Sequence, residues 1–280
     1  MIEPAIGSLR VNGATLHYEV RGKGPLLLLI PGGTGGAASF DGIVDDLAAD
    51  CTVATYDPRG MSCSTLDDPE AEQRVGEHAD DALRLLDTLS PGEPARVFGA
   101  SSAGIAALHL LTHHPERVVR VVAHEPPVVE VLPDAADHRA FLARVQETLR
   151  TQGLMPAMAE FAAGLRKDGD IAEPRAEVRL PPQAAARAER TMAGLPYFLG
   201  RIVPGFMAYS PDIPRLKALS DRLVLACGQD SRGELPHRSA AFLAERLGTE
   251  PQYFPGGHIG LTTHPAEFGA LLRKALRIPA

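Results

Sequence analysis

The chain has 280 residues, 45% of them hydrophobic, and a formal net charge of −7. That is enough chain for one large α/β domain, or two small ones, around a substantial core. The basic residues are scattered and build no phosphate-binding stripe, which argues against nucleic acid as a partner.

The three cysteines, Cys51, Cys63 and Cys227, are odd in number, far apart and without C-x-x-C spacing. They are expected to be core or near-core thiols, not a disulfide frame or a metal site. The opening segment lacks the basic-then-apolar pattern of a signal peptide, and Leu26 to Ile30 is too short to span a bilayer. The expectation is a cytoplasmic protein with no membrane partner.

Taken in order, Leu9 to Val11, Asn12-Gly13 and Thr15 to Val20 predict a β-hairpin, since Asn-Gly is a strong two-residue turn. Leu26 to Ile30 is an unbroken apolar run, as in a strand covered on both faces of a parallel sheet. Pro31-Gly32-Gly33-Thr34-Gly35-Gly36 follows. Glycines there let backbone N–H groups point into a site, which suits an oxyanion loop. The phosphate-loop and dinucleotide fingerprints are both absent. Phe40 to Ala49 predicts an amphipathic helix, and Cys51 to Tyr56 a strand. Asp57 and Arg59 just after it are expected to fix their loop by an ion pair or backbone bonds. Val75 to Leu89 predicts a helix ended by Pro91-Gly92.

Val97-Phe98 then leads into Gly99-Ala100-Ser101-Ser102-Ala103-Gly104 and a helical run to His113. A strand entering a tight turn and then a helix, with serine at the turn and small flanking residues, suits a nucleophile held in a strained conformation. The string alone allows either Ser101 or Ser102. Arg117 to Ala123 is a valine-rich strand ending at His124-Glu125. Regular alternation of strands and helices predicts a mainly parallel sheet with helices on both faces, and sites beyond the carboxyl ends of its strands.

The alternation stops between Val131 and Leu216, where only helical segments are found: Asp137 to Thr151, Pro156 to Arg166, Gln183 to Ala193 and a less regular piece from Tyr197 to Tyr209. The expected organisation is a core of residues 1–130 and 217–280, with 131–216 as a helical cap inserted after the sixth strand. Some of Phe141, Leu154, Met155, Met158, Phe161, Met192, Tyr197, Phe198, Phe206 and Met207 should line an apolar pocket, and the rest should pack the cap. The sheet resumes at Arg222 to Cys227, followed by Gly228-Gln229-Asp230-Ser231. A helix over Ser239 to Leu247, a short strand Gln252 to Phe254, Gly257-His258 and a closing helix Pro265 to Leu276 complete the chain.

A serine nucleophile needs a base, and the base an acidic partner. Here Ser101, Asp230 and His258 occur in that order, the last two each just after a predicted strand. At this point the chain resembles the α/β-hydrolases, in their esterase and haloperoxidase-like serine hydrolase branch. Leu26 to Gly33 resembles the strand and H-G-x loop, and Asp57 to Ser64 the D-x-R-G-x-G-x-S segment. Gly99 to Gly104 with His114-Pro115-Glu116-Arg117-Val118 resembles the elbow and the H-P-E-R-V beyond it, and Gly257-His258 the G-H near the C-terminus. The spacing to His114-Pro115 favours Ser101 as nucleophile over Ser102.

Departures are Pro31 in place of His, Ala103 and Ser62 in place of Gly, and Ala100 where His or Trp is frequent. Asp230 lies two residues after Gly228 instead of the frequent three, and Glu125 is the alternative acid, at a position some family members use.

The resemblance implies a triad of Ser101, Asp230 and His258 and an oxyanion hole of the Gly33 and Ser102 N–H groups. It implies no metal and no organic cofactor. The expected activity is hydrolysis of a small apolar ester, lactone or related acyl compound through an acyl-enzyme. The alternatives are cofactor-free chemistry on the same triad, such as perhydrolysis or C–C bond hydrolysis, and a ligand-binding homologue without catalysis. The expected partner is a small-molecule substrate, and the sequence leaves a homodimer open.

Overall fold

The computed structural model describes residues 2–167 and 182–278, and among these one nine-stranded sheet organises the chain. β1 (Ala5–Val11) and β2 (Ala14–Arg21) form the hairpin, in register from Ala5↔Val20 to Val11↔Ala14. β3 (Leu26–Ile30) and β4 (Thr52–Tyr56) follow, then a two-residue β5 (Thr65–Leu66) paired with the start of β2 on the edge that β4 also uses. The remaining strands are β6 (Ala95–Ala100), β7 (Val118–His124), β8 (Leu223–Gly228) and β9 (Gln252–Phe254). The spatial order is β1-β2-β4-β3-β6-β7-β8-β9. β1 and β2 are antiparallel to their neighbours, and all pairs from β4 to β9 are parallel.

Successive residues of the central strands face opposite sides, so each strand feeds two cores. Leu28, Ile30, Val97, Val121 and Leu225 pack beneath α2 (Val75–Leu89), α3 (Ser102–His113) and α9 (Leu235–Leu247). Leu27, Leu29, Phe98 and Val122 face α1 (Val44–Leu47) and α11 (Pro265–Ala275). Phe98 is fully buried there, with Phe40 and Phe268 meeting its ring edge-on at centroid distances of 6.1 and 5.9 Å.

Between β7 and β8 the described residues make only helices: α4 (Ala135–Gln152), α5 (Leu154–Leu165), α6 (Pro182–Tyr197), a π-turn over Phe198–Ile202, α7 (Val203–Met207) and α8 (Ile213–Ala218), besides short 3-10 turns. α10 (Gly260–Thr263) is one turn before α11.

Two local expectations need correction. Phe40 to Ala49 is not one helix but a 3-10 turn at Ala37–Phe40 followed by the single turn α1. Gly42, a poor helix former, lies at the break, and Phe40, Ile43, Val44 and Leu47 are buried without a continuous helix. Cys51 and Cys227 are buried as expected, but Cys63 is exposed, in the loop after β4.

That loop is built from charges used structurally. Asp57 accepts the backbone N–H groups of Ala37 and Cys63, at 2.8 and 3.0 Å. Arg59 donates to both carboxylate oxygens of Asp81 on α2, each at 2.7 Å, and to the Asn12 carbonyl at 3.1 Å. Both partners of the Arg59–Asp81 pair are buried. Removing Asp81 leaves buried Arg59 with only the longer Glu77 contact, at 3.9 Å, so Asp81→Ala should lower stability by about 3 kcal/mol. Equilibrium urea unfolding checks it, and an unchanged midpoint would show the pair to be dispensable.

Candidate active site

β6 ends in a turn with Ser101 at its apex, at φ 53° and ψ −124°, and α3 starts at the next residue. The strain of this conformation, roughly 1–3 kcal/mol, is held by the strand and helix on either side. Gly99 is required: a Cβ on it would lie 2.5 Å from the Ala103 carbonyl oxygen. The apex is pinned by the Ser101 N–H, which donates to the His124 carbonyl at 2.8 Å.

His258, in the loop after β9, reaches this serine. Its Nε2 is 3.1 Å from Ser101 Oγ. Its Nδ1 is 2.8 Å from Glu125 Oε2, so the geometry assigns the Nδ1 proton to that bond and leaves Nε2 to accept from the serine. No such contact reaches Ser102, which settles where the imidazole points.

The carboxylate beside His258 is therefore Glu125 and not Asp230, a correction to the expected acid. Glu125 directly follows β7, at φ 46°, and its side chain is fully buried. Its Oε1 accepts the Gly228 N–H at 2.8 Å and the Ser231 hydroxyl, while Oε2 faces His258. Asp230 lies between these two donors, in the loop with Ser231, but its side chain is exposed; its backbone N–H donates to the Gly256 carbonyl at 3.0 Å. The end of β8 and the loop after it thus supply donors to the acid instead of the acid itself. Sequence reasoning passed over Ser231, whose hydroxyl three residues after Gly228 was the available signal.

Burial pushes the Glu125 carboxyl upward, but the hydrogen bond and charge of His258, with help from His124 and Ser231, outweigh it and bring it to about 2. His124, buried between His258 and the rings of Phe254 and Phe268, is held down to about 4 by desolvation. Desolvation also brings His78 to about 3 and His109 to about 4. Unfolding restores ordinary imidazoles, so between the ordinary value of 6.5 and about 4 the unfolded chain binds protons that the folded chain refuses. This contribution to stability is complete above that window and is lost as pH falls through it. Glu125 adds a further loss below its ordinary 4.5, toward about 2. The urea midpoint should fall from pH 7.5 to pH 5 with an unchanged slope; a flat profile would refute the burial of these imidazoles.

The remaining expected site residues also meet here. The Gly33 backbone, at φ +60°, donates its N–H to Ser102 Oγ at 3.1 Å. Ser102 is the first residue of α3, so its own N–H has no partner within the helix.

Ser101, Ser102, Gly33 and His258 open onto a cavity of about 320 Å³. The segment between β7 and β8 contributes Phe161, Leu165, Phe198, Val203, Phe206 and Met207 to its wall. Four of these were among the expected pocket residues. Of the others, Phe141 stacks behind Phe161, Met155 and Met192 are exposed, and the Tyr197 hydroxyl donates to the Arg59 carbonyl. Among the described residues no Asp, Glu, Lys or Arg lines the cavity, and no cluster of His, Cys, Asp and Glu could hold a metal ion. No helix among them is long and apolar enough to cross a membrane.

Comparison with known proteins agrees with this architecture. A family model described as the alpha/beta hydrolase fold matches residues 25–265. The chain is 35% identical over 277 residues to the uncharacterized hydrolase YraK of Bacillus subtilis, covering 96% of this chain and 95% of that one. It is 36% identical over 119 residues to a zearalenone hydrolase of Bionectria ochroleuca, covering 41% of this chain and 45% of that one. The structure of a thermophilic esterase from Thermogutta terrifontis superposes with a TM-score of 0.72 at 18% identity, over 98% of each chain.

Proposed function

Since the chain belongs to the α/β-hydrolase fold family, we propose that it is a serine hydrolase acting on a small, neutral, apolar carboxylic ester or lactone. The observation that carries this reading is the continuous hydrogen-bonded line from Ser101 through His258 to Glu125, at 3.1 and 2.8 Å, opening onto an apolar cavity.

In this mechanism His258 Nε2 takes the Ser101 proton as Oγ attacks the substrate carbonyl. Glu125 holds the Nδ1 proton and stabilises the imidazolium. Charge developing on the carbonyl oxygen is met at residue 102, whose backbone N–H contributes ~3 kcal/mol to the transition state, with the Gly33 amide held against its side chain. His258 then gives its proton to the leaving alkoxide, and the same imidazole activates water to release the acid from Ser101.

Substrate class follows from the wall. A charged group without a partner would lose its hydration there, so neutral substrates are favoured. The helices at 131–216 act as a cap over the core of residues 1–130 and 217–280, with Phe161, Leu165, Phe198 and Phe206 setting the pocket shape. The fungal relative, a zearalenone hydrolase, is in keeping with a hydrolytic reaction.

The test is a fluorophosphonate probe with peptide mapping, alongside p-nitrophenyl butyrate turnover. Label on Ser101 with ester turnover is the expected result. A protein that takes no label and turns over no ester would be a binding protein using the same fold, and label on Ser102 would move the nucleophile by one residue.

A further inference from the structure

The Gly33 amide is not idle in the substrate-free site. It donates to the side chain of Ser102, at 3.1 Å from Oγ. A hydroxyl that accepts still has its own proton to donate. Among the described residues no acceptor takes that proton, although the half-buried side chain lines the cavity next to Ser101. An accepted N–H also polarises an O–H and makes it a better donor. Residue 102 therefore offers two donors beside the cavity: its backbone N–H at the positive end of α3, and its hydroxyl.

Resting on the hydrolase reading above, we propose that the Ser102 hydroxyl is a side-chain donor to the oxyanion, with the Gly33 amide acting through it. As the Ser101 Oγ–carbon bond forms, the carbonyl π pair moves onto oxygen and the Ser101 proton moves to His258 Nε2. Ser102 keeps its proton throughout and lends it as a hydrogen bond. It does not compete as nucleophile, because the imidazole contacts Ser101. The opposing view is that this hydroxyl merely occupies the Gly33 amide until substrate displaces it; in that case its removal should leave the rate unchanged or raise it.

The experiment uses the full chain with p-nitrophenyl butyrate as substrate and an alkyl trifluoromethyl ketone, which forms a tetrahedral oxyanion adduct on serine. Ser102→Ala should lower kcat by about 100-fold, the scale of one lost oxyanion donor, with little change in KM. Trifluoromethyl ketone affinity should fall in parallel. Ser102→Thr, which keeps the hydroxyl, should recover most of both. A Ser102→Ala enzyme as fast as wild type overturns the inference while leaving the hydrolase reading standing. Equal losses in the Ala and Thr variants, with native circular dichroism, would overturn it as a packing effect. A wild-type chain that neither hydrolyses the ester nor takes fluorophosphonate would instead remove the hydrolase reading, and this inference with it.

Discussion

Glu125→Gln should reduce kcat for p-nitrophenyl butyrate by about 10⁴-fold, the scale seen when a triad acid becomes an amide. The reason lies in the donors around it. Gly228 N–H and Ser231 O–H both donate to Oε1, and His258 Nδ1 faces Oε2. The Gly228 N–H and the His258 Nδ1–H each require an acceptor, one on either oxygen. An amide must place its NH₂ at one of them. Turned toward His258 it forces the imidazole to accept at Nδ1, so that Nε2 bears the proton and can no longer deprotonate Ser101. Turned the other way it sets its NH₂ against the Gly228 N–H, a group that can only donate, in a fully buried site. Asp230→Asn, changing an exposed side chain, should leave kcat within about twofold, as surface substitutions ordinarily do. Steady-state kinetics on the two variants decide the matter, and the reverse ranking would return the acid role to Asp230.

The second large effect is expected from Ser101→Ala: a fall in kcat of about 10⁶-fold with loss of fluorophosphonate labelling. The fold should persist, because alanine keeps the same Cβ in the same backbone and deletes only a half-buried oxygen. Far-UV circular dichroism and the urea midpoint should match wild type. Substantial esterase activity surviving in this variant would mean that the hydroxyl beside His258 is not the attacking group.

Much of this architecture is local and therefore readable in one dimension. Leu26–Ile30 and Val75–Leu89 have the same limits in sequence pattern and in structure, because a doubly covered strand and an amphipathic helix each write their own period into the residues. The elbow is equally legible. Steric crowding at Ser101 admits only small neighbours, so Gly99 and Ala103 report the turn before any coordinates do. The broken helix at Phe40–Ala49 was harder, since its buried residues keep a helical spacing while Gly42 weakens the backbone between them.

The choice of acid belongs to a different kind of information. Two carboxylates, Glu125 and Asp230, each follow a strand of the same sheet, and their order along the chain favours Asp230 with Glu125 as the alternative. Which one meets His258 depends on where β7 and β8 place their last residues side by side and on which way each side chain then turns. Glu125 takes a left-handed backbone conformation that tucks its carboxylate under the imidazole, and the Gly228 and Ser231 donors across the strand gap offset the cost of burying it there. Residue types and their order were enough to assign the fold, the serine and the histidine. The third member of the line was decided by contacts spanning more than 100 positions along the chain, 103 for Gly228 and 133 for His258, and no local pattern encodes a contact of that reach.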